Sequence, residues 1–452
     1  MRKNKISLST TQIILLSFII AILLGSILLA LPISSASGVA VPYLDALFTA
    51  TTSTCVTGLV TLPVVSTWSI FGQAVILILI QIGGLGIITI MSGVMLLINR
   101  KMGISDRLLI QDAFNLNTMS GLAKFVKNVL FGTLVIEGIG AILYMLVFVP
   151  DFGMRGIWIS VFTSVSAFCN AGIDIIGESS LCGYATNPLV NAVTSALIIL
   201  GGLGYIVWWD VLRVVKTRTP QNRKLFRHLT LHSKIAITLT LGLVFVGAAL
   251  ILALECTNPQ TIGDMSLFDK IQVSLFQSVT TRTAGFASVP QENLTNASAL
   301  VSVILMIIGG SPVGTAGGIK TVTVAVLVCS AFATIRNKNS ATLFGRRISE
   351  ESIKKAVAVV MAFVTICATS TLLLMATNNA SFIDVLYETV SATATVGLSR
   401  NLTSTLNEAG KLIIILTMYF GRVGPISLAV ALGSKNESQN VISEPIEDII
   451  VG

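Results

Sequence analysis

The chain has 452 residues, of which 53% are apolar and only 11% are Asp, Glu, Lys or Arg, against about 25% charged residues in ordinary soluble domains. With a mean hydropathy of +0.87, a soluble globule of this size would lack the charge to cover its surface. The net charge is +8, yet no charged residue falls within 6–44, 46–99 or 179–209, a bunching that excludes disorder, a coiled coil and a nucleic-acid-binding domain and leaves the bilayer as solvent.

In chain order, apolar blocks predict spans over 11–31, 71–98, 126–149, 190–212, 233–254, 299–333, 354–376 and 411–433, each long enough for a transmembrane helix of about 20 residues. The first block follows Arg2, Lys3 and Lys5 like a secretory signal, but its apolar core over 13–31 exceeds the roughly 7–15 residues of such signals. It is read as a retained span. Lys and Arg number three in residues 1–10, five in 99–127, seven in 213–234 and six in 336–355, against zero, one, two and one in 32–70, 150–189, 255–298 and 377–410. The first set is therefore placed in the cytoplasm, with both chain ends. This basic face suits anionic lipid or an acidic protein partner, although topology setting alone would account for it. Asp45, Asp174, Glu178, Glu292 and Asp384 lie in outward segments, where a negative mouth concentrates cations.

Six cysteines show no metal-ligand spacing. Cys182 and Cys256 could face outside together, but a disulfide between them is the less favoured reading. His228 and His232 stand four residues apart in a cytoplasmic segment without the Glu of a zinc-protease helix, so a solvated loop is preferred.

The outward segments are longer than simple loops, and they repeat. Gly58, Gly172, Gly285 and Gly397 are 114, 113 and 112 residues apart. Each is followed by an apolar residue, preceded at five positions by a small one and at ten by Phe48, Phe162, Leu275 or Tyr387; Asp45 and Asp384 share the place thirteen before. A second glycine landmark, opening at Gly83, Gly201, Gly309 or Gly421, follows after 25, 29, 24 and 24 residues. The chain thus divides into units 1–108, 109–222, 223–342 and 343–452, each a span, a re-entrant helix, a glycine loop and a span. Two spans per unit give all four the same orientation, hence a pseudo-fourfold axis along the membrane normal. The fold class is an all-α polytopic membrane protein with eight transmembrane helices and four pore helices around one pathway.

Irregular backbone at membrane depth survives only where protein covers it or water lines it. A half-crossing helix directs its partly negative C-terminal end at the axis. The stretches Val56-Thr57-Gly58, Asn170-Ala171-Gly172, Thr283-Ala284-Gly285 and Thr395-Val396-Gly397 then offer carbonyl oxygens that can replace the hydration shell of potassium. Glycine permits the twist that turns them inward. Tight extracellular turns also use glycine, but they demand no matched helix before each one.

With Thr280-Thr281-Arg282-Thr283-Ala284-Gly285-Phe286 and Phe420-Gly421-Arg422-Val423-Gly424-Pro425, the sequence resembles the Trk/Ktr/HKT superfamily of potassium uptake proteins, most closely the bacterial Ktr-type translocating subunit, over essentially its whole length. That resemblance implies one potassium pathway per chain, a homodimer in the bacterial plasma membrane, and a cytosolic nucleotide-binding ring of RCK type that gates transport. It implies no cofactor, and leaves sodium open as a coupling or activating ion. Glycine rather than serine at Gly58 resembles the potassium-selective members.

The sixth block contains Pro312 and five glycines over 309–318, so a regular helix must open there. It is not a phosphate-binding loop, because Ile319 separates the glycines from Lys320-Thr321 and no strand precedes it. By resemblance it is an intramembrane gate below the filter, formed by Gly310, Ser311, Gly314, Thr315, Gly317, Gly318 and Lys320, and touched by Arg422. A packing kink is the plainer alternative. An unpaired Arg422 in mid-span would cost several kcal/mol, so it must face the cavity or a partner. Glu137 is expected to pair with a cation or bond neighbouring backbone. Arg282 is expected to brace the third filter from behind, with Glu388 as a candidate partner. A membrane enzyme would need a convergent nucleophile and base, and the sequence offers none.

Overall fold

The computed structural model describes residues 9–97, 103, 108, 111, 121–217, 225–338 and 340–424; Pro425, the end of the eighth block and the C-terminus lie outside them. The fold is built almost wholly from helices. The first, α1 (Thr10–Ala30), starts on a capping box in which the Ser9 hydroxyl accepts from the Gln12 amide and the Gln12 side chain accepts from the Ser9 amide. The short α2 (Tyr43–Thr54) follows, then α3 (Ile70–Leu85) and α4 (Ile87–Leu97). The same order recurs in α5 (Leu122–Phe152), α6 (Arg155–Cys169), α7 (Pro188–Leu203) and α8 (Tyr205–Lys216). It recurs again in α9 (Leu231–Glu255), α10 (Leu267–Thr280), α11 (Asn296–Ile307) and α12 (Thr321–Ile335). After a small hairpin of β1 (Thr342–Leu343) and β2 (Arg346–Arg347) come α13 (Glu350–Thr377), α14 (Phe382–Ala394) and α15 (Glu408–Val423).

Among the described residues, four helices are long and apolar enough to cross a membrane, namely Thr11–Ala30, Leu122–Phe152, Leu231–Glu255 and Glu350–Thr377. These coincide with the first, third, fifth and seventh predicted spans. Phe131, Leu134, Ile142 and Leu146 on α5 are between 63% and 70% exposed, a face that only lipid tails would cover without penalty.

The even-numbered blocks need a correction. Only the sixth was expected to break, yet the second breaks at Gly86, the fourth at Gly204, and α15 stops at Gly424. Their φ values are +85°, +86° and +90°, with ψ of 134°, 144° and 134°, a conformation that L side chains adopt only under strain. Helices α7 and α8 meet at 95°. The fourth block therefore folds back on itself just past its glycine landmark, the second is interrupted at the equivalent place, and the described part of the eighth ends there.

The four short helices pack in cyclic order. Each lies against the long helix of its own unit and against a neighbour from the preceding one: α6 on α3, α10 on α7, α14 on α11, and α2 on α15. The last contact joins the two ends of the described chain and closes the ring. Trp68, Tyr144, Phe148, Phe162 and Phe168 are fully enclosed in the largest apolar cluster. Cys182 and Cys256 are free thiols, so the disulfide reading is dropped.

Candidate functional site

At the centre of the ring the four short helices end in matched turns. Ser266 and Ser381 cap α10 and α14 by accepting from the amides of Asp269 and Asp384. At the other ends, amides of the exiting loops return to carbonyls inside the helix, Thr57 to Thr52, Ala171 to Ser166 and Val396 to Ser391, each at 2.8 Å. The Gly58 and Gly397 amides donate to the hydroxyls of Thr52 and Ser391, both at 3.0 Å. These hydroxyl positions lie one residue before the small position noticed in the sequence, and had no signal there.

Two residues before each glycine the backbone is left-handed, with φ of +54° at Val56, +59° at Asn170, +69° at Thr283 and +51° at Thr395. Asparagine tolerates this conformation, whereas β-branched residues adopt it only when the surroundings impose it. Three of the four loops accept that strain.

The glycines then face one another's backbone in rotation. A methyl group on Gly58 would fall 2.5 Å from the Ala171 carbonyl oxygen; on Gly172, 2.4 Å from that of Ala284; on Gly285, 2.4 Å from that of Val396; on Gly397, closer still to that of Thr57. No side chain fits at any of them. The predicted residues Val56 to Gly58, Asn170 to Gly172, Thr283 to Gly285 and Thr395 to Gly397 are thereby brought to one ring of backbone. All four glycines line a cavity of about 380 Å³, together with Asp174, Glu178 and Glu292 of the segments expected to face outward and without a lysine or arginine. Burial pushes the Asp174 carboxyl up to about 6, against hydrogen bonds from Ser180 and the Ile176 and Gly177 amides that lower it.

A second cavity, of about 490 Å³, is lined by Gly83, Pro312, Gly314, Gly317, Gly318, Lys320, Thr393 and Arg422. Between α11 and α12 the chain is neither helix nor disordered coil. The Gly309 amide donates to Ile319 and the Ile319 amide to Ile307, both at 3.0 Å, while the Ser311 and Thr315 amides donate to Gly202 and Gly201 at 2.8 and 3.1 Å. The Ser311 hydroxyl bonds that of Thr321 at 3.0 Å, and Gly310 accepts from the Thr321 amide at 3.0 Å.

Arg422 touches this loop as expected, donating to the Thr315 carbonyl at 2.6 Å and also to the Gly83 carbonyl. Lys320 donates back to Ala316. Arg282 is buried behind the third loop, but Glu388 is not its partner. Its guanidinium donates to the carbonyls of Thr240 and Gly309 at 3.2 and 3.1 Å, while Glu388 accepts from Ser399 and Thr403. Glu137 also departs from expectation. It accepts from the Gln81 amide at 3.2 Å and from the Cys169 thiol at 3.9 Å, rather than meeting a cation or neighbouring backbone. Neither partner was recognisable from spacing.

Long helices with lipid-ready faces, enclosing an uncharged backbone ring between two cavities, define a polytopic membrane transport protein. The Cation transport protein family, TrkH, matches residues 2–443, and the chain belongs to that family. It is 38% identical to the Potassium/sodium uptake protein NtpJ of Enterococcus hirae across 98% of both chains. It is 37% identical to the Ktr system potassium uptake protein B of Bacillus subtilis, covering 95% of this chain and 94% of that one. The protein of the same name from Vibrio alginolyticus is 35% identical over 100% and 97%. The crystal structure of the potassium transporter TrkH from Vibrio parahaemolyticus shares the fold, with a TM-score of 0.76 over 96% of this chain and 87% of that one at 17% identity. The protein is a transporter and not an enzyme.

Proposed function

We propose that the chain is the translocating subunit of a potassium uptake system. In this reading four tandem repeats, 1–108, 109–222, 223–342 and 343–452, supply eight spans and four pore helices around one axis. Potassium passes from the outer cavity through the ring at Gly58, Gly172, Gly285 and Gly397, where the carbonyls of Thr57, Ala171, Ala284 and Val396 replace its water. The observation that carries the reading is the rotational apposition of each glycine to the next loop's carbonyl, which gathers backbone oxygens around one ring. The names of the relatives, potassium uptake proteins of the Ktr system and a potassium/sodium uptake protein, support the same ion.

The loop over 309–318 is the gate. It separates the ring from the inner cavity, and Arg422 fastens it while adding a positive barrier beneath the filter. A cytosolic nucleotide-binding ring of RCK type releases it, two copies of the chain form the working unit, and sodium acts as coupling or activating ion. The chain sits in the bacterial plasma membrane with both termini in the cytoplasm and holds no cofactor of its own.

The test is rubidium uptake into proteoliposomes with sodium as competitor. Gly58→Ser forces a side chain into a backbone with φ of +99° and against Ala171, so discrimination against sodium should fall about tenfold or more. Unchanged selectivity in a well-folded variant would remove the filter assignment.

A further inference from the structure

Asn170 stands two residues before its glycine, where the other loops carry Val56, Thr283 and Thr395. Its side chain does not face the axis. The Thr315 hydroxyl, on the loop over 309–318, lies 3.2 Å from the Asn170 Oδ1 and 3.1 Å from the Phe168 carbonyl oxygen, and donates its one proton between them. The Asn170 amide reaches on to the Arg282 carbonyl at 3.5 Å. All three residues Asn170, Arg282 and Thr315 are buried. Across the ring the same loop meets the fourth filter. A methyl on Gly317 would collide with the Thr395 hydroxyl and fall 2.5 Å from the Ala394 carbonyl, and that hydroxyl is buried without a hydrogen-bond partner. The loop is thus wedged under two of the four filters, held by a hydrogen bond at one and by contact alone at the other.

A loop that merely plugs the pathway would need no polar contact with the filter above it. A buried hydroxyl shared between a filter side chain and the last turn of its pore helix has a cost when broken, because Asn170 Oδ1 and Phe168 O then lose their donor in a dry site. Where discrimination comes from the fit of the ion between carbonyls, it depends on how firmly they are held, and what holds Asn170 then also acts on selectivity.

We propose that Asn170 is a selectivity-positioning residue of the second filter, held by Thr315 of the gate loop, so that the state of the loop sets how strictly the filter discriminates potassium from sodium. The proposal rests on the filter and gate reading above. It makes selectivity a property of the loop as well as of the glycines, and it assigns the asymmetry among the four filters a purpose.

The experiment uses the full chain, reconstituted with its gating subunit, and reads both rubidium flux and the rubidium-to-sodium discrimination ratio. Thr315→Val keeps the shape and removes the donor, and should lower the ratio several-fold while flux persists. Thr315→Ser keeps the donor and should match wild type. Asn170→Thr, which places the residue found at two other filters, should lower the ratio as Thr315→Val does, and the double variant should be no worse than either single one. A ratio equal to wild type in Thr315→Val, or effects that multiply in the double variant, overturns the coupling. Should Thr315→Val fail to fold, Asn170→Thr alone decides by the same ratio. Gly58→Ser separates the two readings: if it lowers the ratio and Thr315→Val does not, only the coupling fails, and if wild type shows no selective rubidium uptake the filter reading falls and the coupling with it.

Discussion

Individual residues divide sharply between those that form the pathway and those that hold it. In the proposed reading the pathway ring is backbone, and a side chain at any of its four glycines would meet a neighbouring carbonyl. Charged side chains flank it, with Arg282 behind the third loop, Arg422 at one border and Asp174 at the other. Arg422 is fixed by two carbonyls, one on the loop and one at Gly83, and hydrogen bonds from charged groups contribute roughly 1.5–3 kcal/mol each. Arg422→Ala should therefore loosen the loop and raise basal rubidium flux on the order of tenfold, measured without the gating subunit. Flux no faster than wild type in a folded variant would mean that Arg422 serves packing instead. At the outer border Asp174 has its carboxyl raised to about 6 by burial. It is therefore charged above that pH and neutral below it. With Glu178 and Glu292 it makes the outer cavity negative, so uptake at subsaturating potassium should decline as external pH falls through 6. Asp174→Asn should show the low-pH rate throughout, and a pH step that survives in this variant would place the titration elsewhere. The sign for stability is the opposite. Because the folded state holds this proton more tightly than the unfolded chain, stability contributed by Asp174 is greatest at low pH and lessens as pH rises towards and past 6.

Elements are shaped by where helices stop. The sequence reading placed four long spans correctly because 20 apolar residues have few other uses, and it found the short helices from their matched positions around the glycines. It did not find the breaks at Gly86, Gly204 and Gly424, since glycines in an apolar run are common in membrane helices and their φ is decided by what packs beside them. At Gly204 that neighbour is the gate loop: the Val313 carbonyl accepts from the Tyr205 amide at 3.0 Å, and a methyl on Gly204 would fall 2.4 Å from the Pro312 carbonyl. Gly204→Ala thus adds strain of about 1–3 kcal/mol and displaces the loop. A lower melting temperature together with raised basal flux is expected, and a variant as stable and as tightly closed as wild type would show that the bend is not required.

The whole molecule is a ring whose last joint is α2 against α15. An ion pair sits at that joint, with Lys411 donating to Asp45 at 2.6 Å and both side chains largely enclosed. Its counterpart at the equivalent position, Asp384, accepts from Arg400 at 2.7 Å, and Arg400 also donates to the carbonyls of Gln291 and Leu294. Removing one partner of an enclosed pair costs about 3–5 kcal/mol because the other charge is left uncompensated. Asp45→Ala should lower the melting temperature of the purified protein markedly, and Asp45→Leu combined with Lys411→Met should recover much of it. Equal losses in single and double variants would indicate that the pair is not the joint.

The membrane class, the four glycines and the loop around Pro312 are all dictated by the sequence, because hydropathy, a near-constant spacing and helix-breaking residues are local properties that need no partner. The equivalence of Asp45 and Asp384 was visible too, though not what they bind. Only the tertiary structure decided the cyclic order of packing, the partners of Glu137 and Arg282, and the meeting of Thr315 with Asn170 across 145 residues of chain. Those are contacts between segments whose separation in sequence carries no periodic signal, and only the closing of the ring brings them within reach of one hydrogen bond.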